Sequence, residues 1–201
     1  MKKIAIIQST GANFASLQYA FDRLGTEVIV TDDKEIIKNA SHVVLPGVGS
    51  AKFGMNNLGE LVDIVKSLTQ PVLGICLGMQ LLANFSEEGE VPCIGIVPST
   101  VRKLKAAGLI VPHMGWNSLT IQRSDPILNG ITNENFYFVH SYAMEVSEWT
   151  LAVCEYGTNW SAVVRKDNFY GVQFHPEKSG EIGMRLMKNF LECSNDCVSR
   201  D

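Results

Sequence analysis

The sequence lacks a long hydrophobic run, a dense cluster of one charge and a regular cysteine pattern. No apolar segment in its 201 residues approaches the roughly 20 residues of a membrane-spanning helix, so we expect no membrane association. The formal net charge is -4 and no stretch concentrates Lys and Arg, which argues against a nucleic-acid partner. The apolar stretch after Lys3 ends at Gln8 without the small-residue cleavage pattern of a signal peptide. These features predict a cytoplasmic protein.

The cysteines and histidines offer no metal-ligand spacing. The cysteine count of 5 is odd, and the spacing indicates no disulfide framework. Cys193 and Cys197 are one helical turn apart, but two thiols without a second pair or a nearby histidine make a poor zinc site. His113 and His140 lack such spacing too, and His42 is expected to be structural. We therefore predict no metal site and no cofactor.

The first half of the chain alternates short apolar runs with segments of helical spacing. This alternation predicts an α/β fold with a mostly parallel central sheet flanked by helices. In such sheets, ligands bind outside the carboxyl ends of the strands. The predicted strands are Ile4–Ile7, Glu27–Thr31, Val43–Leu45 and Pro71–Ile75, and the predicted helices are Asn13–Leu24, Leu61–Leu68 and Leu77–Phe85.

The second half is richer in short strand patterns, which predict additional antiparallel strands before a final helix over 180–193. Lys166-Asp167-Asn168 is typical of a hairpin turn. No linker or repeat divides the chain, so we expect a single domain over residues 1–201. The predicted strands are Ile94–Val97, Val101–Leu104, Ser118–Gln122, Phe136–Val139, Thr150–Tyr156, Ala162–Arg165 and Tyr170–Phe174.

The segment Gly74-Ile75-Cys76-Leu77-Gly78 has the form of a nucleophile elbow with cysteine as the nucleophile. A strand must turn sharply into a helix there, and glycines are needed where the backbone folds back on itself. The start of the helix favours the reactive thiolate of Cys76, and the Leu77 N–H can donate to an oxyanion. The alternative is an unreactive cysteine buried between a strand and a helix.

The segment from Gly171 to Lys178 ends a predicted strand in His175-Pro176-Glu177. Pro176 disfavours helical backbone at His175, and residues two apart in extended backbone point the same way. Glu177 can therefore orient the imidazole of His175, which can act as base to a thiol and then as acid to a leaving amine. The alternative is an ordinary surface turn, and the presence of Cys76 in the same small chain favours the triad.

A third motif, Pro46-Gly47-Val48-Gly49-Ser50, follows another predicted strand. It departs from the dinucleotide-binding fingerprint, because Lys52 stands where the third glycine is required. No Walker-type Gly-Lys-Ser/Thr occurs in the sequence. We interpret this motif as a second loop of oxyanion donors, against the alternative of an ordinary turn at a strand end.

The segments GICLGMQLL and GVQFHPEKS resemble the class I, triad-type glutamine amidotransferases. PHMGWN, YFVHSYA and LPGVGS narrow the resemblance to the glutaminase subunits of imidazole glycerol phosphate synthase, and it covers essentially the whole chain. The resemblance implies that Cys76 attacks the side-chain amide of glutamine, while His175 shuttles the proton and Glu177 holds it. It also implies that the Val48 N–H joins that of Leu77 as an oxyanion donor after a peptide flip between Gly47 and Gly49.

The resemblance further implies a partner, a (β/α)8-barrel cyclase that receives the ammonia in a heterodimer. The cyclase would form imidazole glycerol phosphate and aminoimidazole carboxamide ribotide. The implied contacts to the glutamine α-groups are Gln80, Glu88, Ser141 and Tyr142, and the implied residues of the partner interface are Met114, Trp116, Asn117 and Lys178.

One segment departs from the family pattern, and three other functions stay open. Many members carry an acidic residue after the first strand, where this chain has Gln8, although Gly11 and Asn13 fit the pattern. A paralogous glutaminase that supplies ammonia for sugar amidation in surface polysaccharide synthesis would have a closely similar sequence. A cysteine hydrolase or peptidase of similar fold would share the triad, and a non-catalytic binding subunit would not need it.

Overall fold

A computed structural model describes residues 2–105, 108–132 and 134–194 of the chain. Strands and helices alternate through the first half, as the sequence predicts. The strands are β1 (Lys3–Ile7), β2 (Glu27–Thr31), β3 (His42–Leu45) and β4 (Val72–Ile75), and the helices are α1 (Phe14–Asp22), α2 (Lys34–Asn39), α3 (Ala51–Leu58), α4 (Leu61–Ser67) and α5 (Leu77–Leu81).

The second half is mostly strand and closes with one long helix. Short 3-10 turns occur at Pro126–Leu128 and Pro176–Lys178. The remaining elements are β5 (Ala83–Ser86), β6 (Val91–Pro92), β7 (Val97–Lys103), β8 (His113–Ser118), β9 (Thr120–Ile121), β10 (Asn135–His140), β11 (Tyr142–Met144), β12 (Thr150–Tyr156), β13 (Thr158–Lys166), β14 (Phe169–Val172) and α6 (Gly180–Glu192).

The central sheet has eight strands in the order β2-β1-β3-β4-β14-β13-β12-β9. The pairs from β2 to β14 are parallel, and the pairs from β14 to β9 are antiparallel. The predicted α/β fold with a mostly parallel sheet and added antiparallel strands is therefore confirmed. Helices cover both faces of the sheet, and successive buried residues of a strand therefore pack into two separate hydrophobic cores. Ile4 and Ile6 of β1 pack with α1 and α6, whereas Ala5 and Ile7 pack on the opposite face.

Two smaller sheets lie beside the central one. One has the order β11-β7-β5-β6, and the other is the two-stranded ribbon β8–β10. The ribbon is antiparallel, with His113 opposite His140 and Trp116 opposite Tyr137. It carries most of the residues for which we expect a role at a partner interface.

Several predicted elements were wrong in extent. The helix predicted over Leu77–Phe85 ends at Leu81, because Ala83–Ser86 pairs with β7 and with β6. The two strands predicted around residues 94–104 are one strand, β7. The strand predicted over Ser118–Gln122 is only the short β9, since Ser118 ends β8.

Helices α2 and α3 were missed, although each has an N-cap residue visible in the sequence. Asp33 accepts hydrogen bonds from the backbone N–H groups of Glu35 and Ile36, and Ser50 accepts one from Phe53. The predicted hairpin turn is confirmed by the pairing of Lys166 with Phe169. No helix in the described ranges is both long enough and apolar enough to cross a membrane. Cys197 lies outside the described residues.

Candidate active site

Cys76 and His175 meet because they follow neighbouring parallel strands. Ile75 at the end of β4 is in register with Val172 at the end of β14, and the Cys76 N–H donates to the Val172 carbonyl at 2.8 Å. His175 lies three residues beyond the end of β14. Since both strands run in the same direction, their carboxyl ends place the thiol and the imidazole at one edge of the sheet.

The turn at Cys76 is strained and closely packed, as a nucleophile elbow requires. Cys76 has φ +53° and ψ −110°, a backbone conformation that an L side chain rarely adopts. A Cβ on Gly78 would lie 1.7 Å from the Leu45 carbonyl oxygen, so only glycine fits there. The strained backbone at Cys76 therefore places the sulfur at the apex of the turn.

The imidazole of His175 is held by Glu177. Its Nδ1 lies 2.8 Å from Oε1 of the buried Glu177 carboxylate. A carboxylate can only accept, so Nδ1 carries the hydrogen and Nε2 is left for Cys76. Burial by itself lowers the pKa of His175, but hydrogen bonds and charge from Cys76 and Glu177 raise it to about 10. The site is thus built to hold an imidazolium beside the sulfur.

Gln173 is a further neighbour of the sulfur that the sequence analysis missed. Its Nε2 donates to Sγ of Cys76 at 3.8 Å, and Sγ lies 3.8 Å from the Val139 carbonyl. Gln173 is fully buried, directly follows the end of β14 and lies two residues before His175. Residues two apart in an extended segment point the same way, so this spacing from His175 was a usable sequence signal for Gln173.

A pocket of about 360 Å³ opens in front of the sulfur. The structure brings together in its wall the predicted triad cysteine and histidine, the predicted donor loop and the four residues expected to contact glutamine. Glu177 lies behind His175 and does not line it. The lining residues are Gly47, Val48, Gly49, Cys76, Leu77, Gln80, Glu88, Pro112, Val139, His140, Ser141, Tyr142 and His175.

The loop after β3 lies against the elbow, but its central N–H is engaged elsewhere. A Cβ on Gly47 would be 2.9 Å from the Leu77 Cβ, so glycine allows the two segments to approach. The Val48 N–H donates to the Thr10 carbonyl at 3.4 Å. Gly49 has φ +89°, which a residue with a side chain would disfavour. In this conformation the Val48 N–H is not an oxyanion donor, and a peptide rotation would be needed to make it one.

Two further polar side chains, Gln80 and Glu88, line the pocket. Glu88 accepts a hydrogen bond from the Ala51 N–H at 3.0 Å, and burial raises the pKa of its carboxyl despite that bond. Gln80 is buried, and its Nε2 donates to the Tyr142 carbonyl at 2.8 Å and to Gln173 Oε1 at 3.0 Å. Both amide hydrogens are used, so the polar atom that Gln80 offers to a ligand is its carbonyl oxygen.

The residues predicted at a partner interface lie on or near the β8–β10 ribbon. Met114 and Trp116 are 63% and 58% exposed, which is unusual for side chains of this size. Asn117 is half-buried and donates to the Glu155 carbonyl at 3.0 Å, while Lys178 is exposed beside the triad. Opposite Trp116, Tyr137 accepts a backbone hydrogen bond from His175 at 2.9 Å. The exposed face is therefore one strand away from the triad.

The segment after β1 has no acidic residue of its own, and Asp32, which directly follows β2, supplies one. Oδ1 of Asp32 accepts hydrogen bonds from the N–H groups of Gln8 at 3.0 Å and Ser9 at 2.9 Å. Asn13 caps α1 by accepting from the Ser16 N–H. Within the described ranges, no three His, Cys, Asp or Glu side chains are grouped so that they could hold a metal ion.

Comparison with known sequences places these features in a family. The profile described as glutamine amidotransferase class-I matches residues 5–193. The chain is 50% identical over 198 residues to "Imidazole glycerol phosphate synthase subunit HisH 2" of Legionella pneumophila (strain Paris), covering 96% of this chain and 100% of that protein. It is 49% identical over 195 residues to the HisH subunit of Haemophilus influenzae (strain 86-028NP), covering 96% and 98%.

Solved structures of lower identity share the fold. A glutamine amidotransferase from Thermotoga maritima superposes with a TM-score of 0.66 at 18% identity, over 95% of this chain and 81% of that one. The structure of PurLQS, also from Thermotoga maritima, gives 0.71 at 17% identity, over 96% and 99%. The sheet order and the helices on its two faces are thus those of a known architecture.

Proposed function

We propose, since this chain belongs to the glutamine amidotransferase class-I family, that it is the glutaminase subunit of an imidazole glycerol phosphate synthase in histidine biosynthesis. It hydrolyses glutamine to glutamate and ammonia. The observation that carries this proposal is that Cys76, His175 and Glu177 lie close together after the ends of β4 and β14. His175 and Glu177 are joined by a hydrogen bond.

The chemistry uses His175 as the proton donor, which its raised pKa favours. The Cys76 thiolate attacks the amide carbon of glutamine, and the carbonyl π electrons move to oxygen. Nε2 of His175 gives its proton to the amide nitrogen as the C–N bond breaks, so ammonia leaves and a glutamyl thioester remains. His175 then takes a proton from water, whose oxygen attacks the thioester, and glutamate leaves as the thiolate is restored.

The oxyanion of each tetrahedral intermediate is stabilised by backbone donors. The Leu77 N–H is the first, because it follows Cys76 at the start of α5. The Val48 N–H is the second, once the peptide between Gly47 and Val48 rotates away from the Thr10 carbonyl. Because Gly49 already has positive φ, the backbone there tolerates such a rotation.

The α-groups of glutamine occupy the far part of the pocket. The carbonyl oxygen of Gln80 and the carboxylate of Glu88 attract the α-ammonium, and the backbone of Ser141 and Tyr142 completes the subsite. This arrangement places the side-chain amide of the substrate toward Cys76. No cofactor takes part in this proposal.

The ammonia is used by a partner protein, since the relatives are named as subunits of a synthase. We propose that residues 1–201 act as one glutaminase domain, in a cytoplasmic heterodimer with a (β/α)8-barrel cyclase. The exposed Met114 and Trp116, together with Asn117 and the exposed Lys178, form the docking face. Large apolar side chains surrounded by polar ones are typical of such interfaces.

Replacing Cys76 with alanine tests the proposal in the complex with the histidine-pathway cyclase. We expect glutamine-dependent synthesis of imidazole glycerol phosphate to be lost, while synthesis from added ammonia is retained. Cys93→Ala is the matched control, because Cys93 does not line the pocket. Retained glutamine-dependent synthesis in Cys76→Ala would refute the assignment of the nucleophile.

Two further assays separate the alternatives. Growth of a histidine auxotroph that lacks this subunit is expected on complementation, and failure with a folded, expressed chain would favour the glutaminase of sugar amidation. A glutamine analogue that alkylates thiols is expected to label Cys76. Peptide cleavage without such labelling would instead identify a peptidase.

A further inference from the structure

Two histidines outside the triad form a buried pair next to the pocket. Nδ1 of His113 lies 3.1 Å from Nε2 of His140, and both side chains are buried. They face each other across the β8–β10 ribbon. His140 lines the pocket, and the triad chemistry does not use it.

The direction of each hydrogen bond in this pair can be deduced. Nδ1 of His140 lies 2.9 Å from the Tyr142 carbonyl, which can only accept, so that nitrogen carries a hydrogen. Burial lowers the pKa of both His113 and His140, so both rings are neutral. Nε2 of His140 is then an acceptor, and Nδ1 of His113 must donate to it.

The chain of hydrogen bonds continues toward the surface. With Nδ1 of His113 as donor, its Nε2 accepts, and Nδ2 of Asn117 lies 3.5 Å away. The orientation of the Asn117 amide is fixed, because its Oδ1 accepts from the Ser118 N–H at 2.8 Å and its Nδ2 also donates to the Glu155 carbonyl. Donation thus runs one way, from Asn117 through both histidines to the Tyr142 carbonyl.

The end of this chain is a wall of the pocket. The Tyr142 carbonyl accepts from His140 and from Nε2 of Gln80, which uses both of its lone pairs. Its orientation is therefore fixed from two sides. Ser141 and Tyr142 are the backbone segment that the proposed function assigns to the α-groups of glutamine. The histidine pair contacts this segment directly, beside Gln80 and the pairing of β11 with β7.

We infer that His113 and His140 are positioning residues for glutamine, which hold the Ser141–Tyr142 wall of the pocket through the Tyr142 carbonyl. The inference rests on the proposed function. Packing supports it, because the His113 ring is stacked between Tyr156, at 4.0 Å between ring centroids, and Phe138, at 4.9 Å. A ring held on both faces keeps its donor aimed at His140.

Two substitutions at His113 separate its hydrogen bond from its packing. His113→Phe keeps a ring in the stack but removes the donor to His140. His113→Asn loses the ring, but its side-chain amide can place an N–H near the position of Nδ1. Kinetics of glutamine hydrolysis are measured for each variant and for the wild type, in complex with the cyclase, together with the thermal unfolding midpoint.

We expect His113→Phe to raise KM for glutamine about tenfold, the equivalent of about 1.4 kcal/mol, with kcat changed less than about threefold. We expect His113→Asn to keep KM within about threefold of the wild type while its unfolding midpoint falls further than that of His113→Phe. A purely structural role would make KM follow the unfolding midpoint instead.

The outcomes distinguish this inference from the function on which it rests. A wild-type complex that does not hydrolyse glutamine would overturn the proposed function, and the inference with it. An active wild type with unchanged KM in His113→Phe would overturn the inference alone. Equal rises of KM in both variants would also overturn it, because the restored donor would then have no effect.

Discussion

Replacing Glu177 with glutamine tests how far the Glu177 carboxylate raises the pKa of His175. The Glu177 side chain is only 4% exposed, and its Oε1 accepts from Nδ1 of His175 at 2.8 Å. Oε2 is buried and has no hydrogen-bond partner among the described residues. A glutamine can therefore keep its carbonyl on the imidazole and place its NH2 where Oε2 was, so the change removes charge with little change of shape.

The size of the effect follows from the difference between charged and neutral hydrogen bonds. A bond to a charged group contributes about 1.5–3 kcal/mol and a neutral one about 0.5–1.5 kcal/mol, so the variant loses about 1–2 kcal/mol of imidazolium stabilisation. That corresponds to a drop of about one unit in the pKa of His175. The wild-type value is raised from 6.5 to about 10, so the imidazolium is lost only as pH rises through that value.

The assay is kcat/KM for glutamine hydrolysis from pH 6 to pH 11, measured on the complex. We expect the alkaline limb of the Glu177→Gln profile to lie about one unit lower than in the wild type. Glu181→Gln is the matched control, because Glu181 is an exposed carboxylate at the start of the next helix. A lower rate with an unmoved alkaline limb would refute the electrostatic role and leave only orientation of the ring.

The raised pKa of His175 also makes the stability of the protein depend on pH. Because the folded-state pKa of His175 is raised, its contribution to stability is fully present below pH 6.5 and is lost as pH rises through about 10. The free energies of unfolding of the wild type and of Glu177→Gln should therefore differ most near pH 6. They should converge toward pH 10, and urea titrations at both pH values measure this.

Two further predictions concern residues away from the triad. Burial, and to a lesser extent the charge of Lys2, lowers the pKa of His42 from 6.5 to about 4, so the free energy of unfolding should fall by up to about 3 kcal/mol as pH falls through that range. His42→Gln should show a smaller fall in urea titrations at pH 7 and pH 4.5, and an unchanged fall would contradict this cause. Trp116→Ala should raise the Kd for the cyclase about tenfold without altering the fold, as measured by calorimetry. Tyr19→Ala, which removes a side chain that is 71% exposed on α1, should leave the Kd unchanged.

The parts of the site that could be predicted are those set by local rules. A strand, a Gly-x-Cys-x-Gly turn and a helix specify an elbow wherever they occur, and Cys76 has the positive φ that such a turn demands. His175 and Glu177 are two residues apart, so their contact depends only on backbone between them. Strand–helix alternation predicts a ligand site at the carboxyl ends of the parallel strands, and Cys76 directly follows β4 there.

The parts that were missed depend on contacts between distant segments. Asp32 supplies the carboxylate of the loop after β1, and that pairing has no signature in sequence spacing. The histidine pair arises from the register of β8 with β10, which no local pattern fixes. The end of α5 at Leu81 is likewise decided by the pairing of β5 with its neighbours.

The fold holds the triad residues and the proposed second oxyanion donor with different firmness. The central sheet fixes the triad, because β4 and β14 are locked in register and the elbow is closed by backbone contact at Gly78. The proposed second oxyanion donor is not fixed in the same way, since the Val48 N–H donates to the Thr10 carbonyl instead. Breaking one neutral hydrogen bond costs only about 1 kcal/mol, whereas one oxyanion donor is worth about 2.7–4 kcal/mol to the reaction. In the proposed function, rotating the loop therefore costs little free energy compared with the transition-state stabilisation that it adds. This is why the reactivity of Cys76 should be measured in the complex.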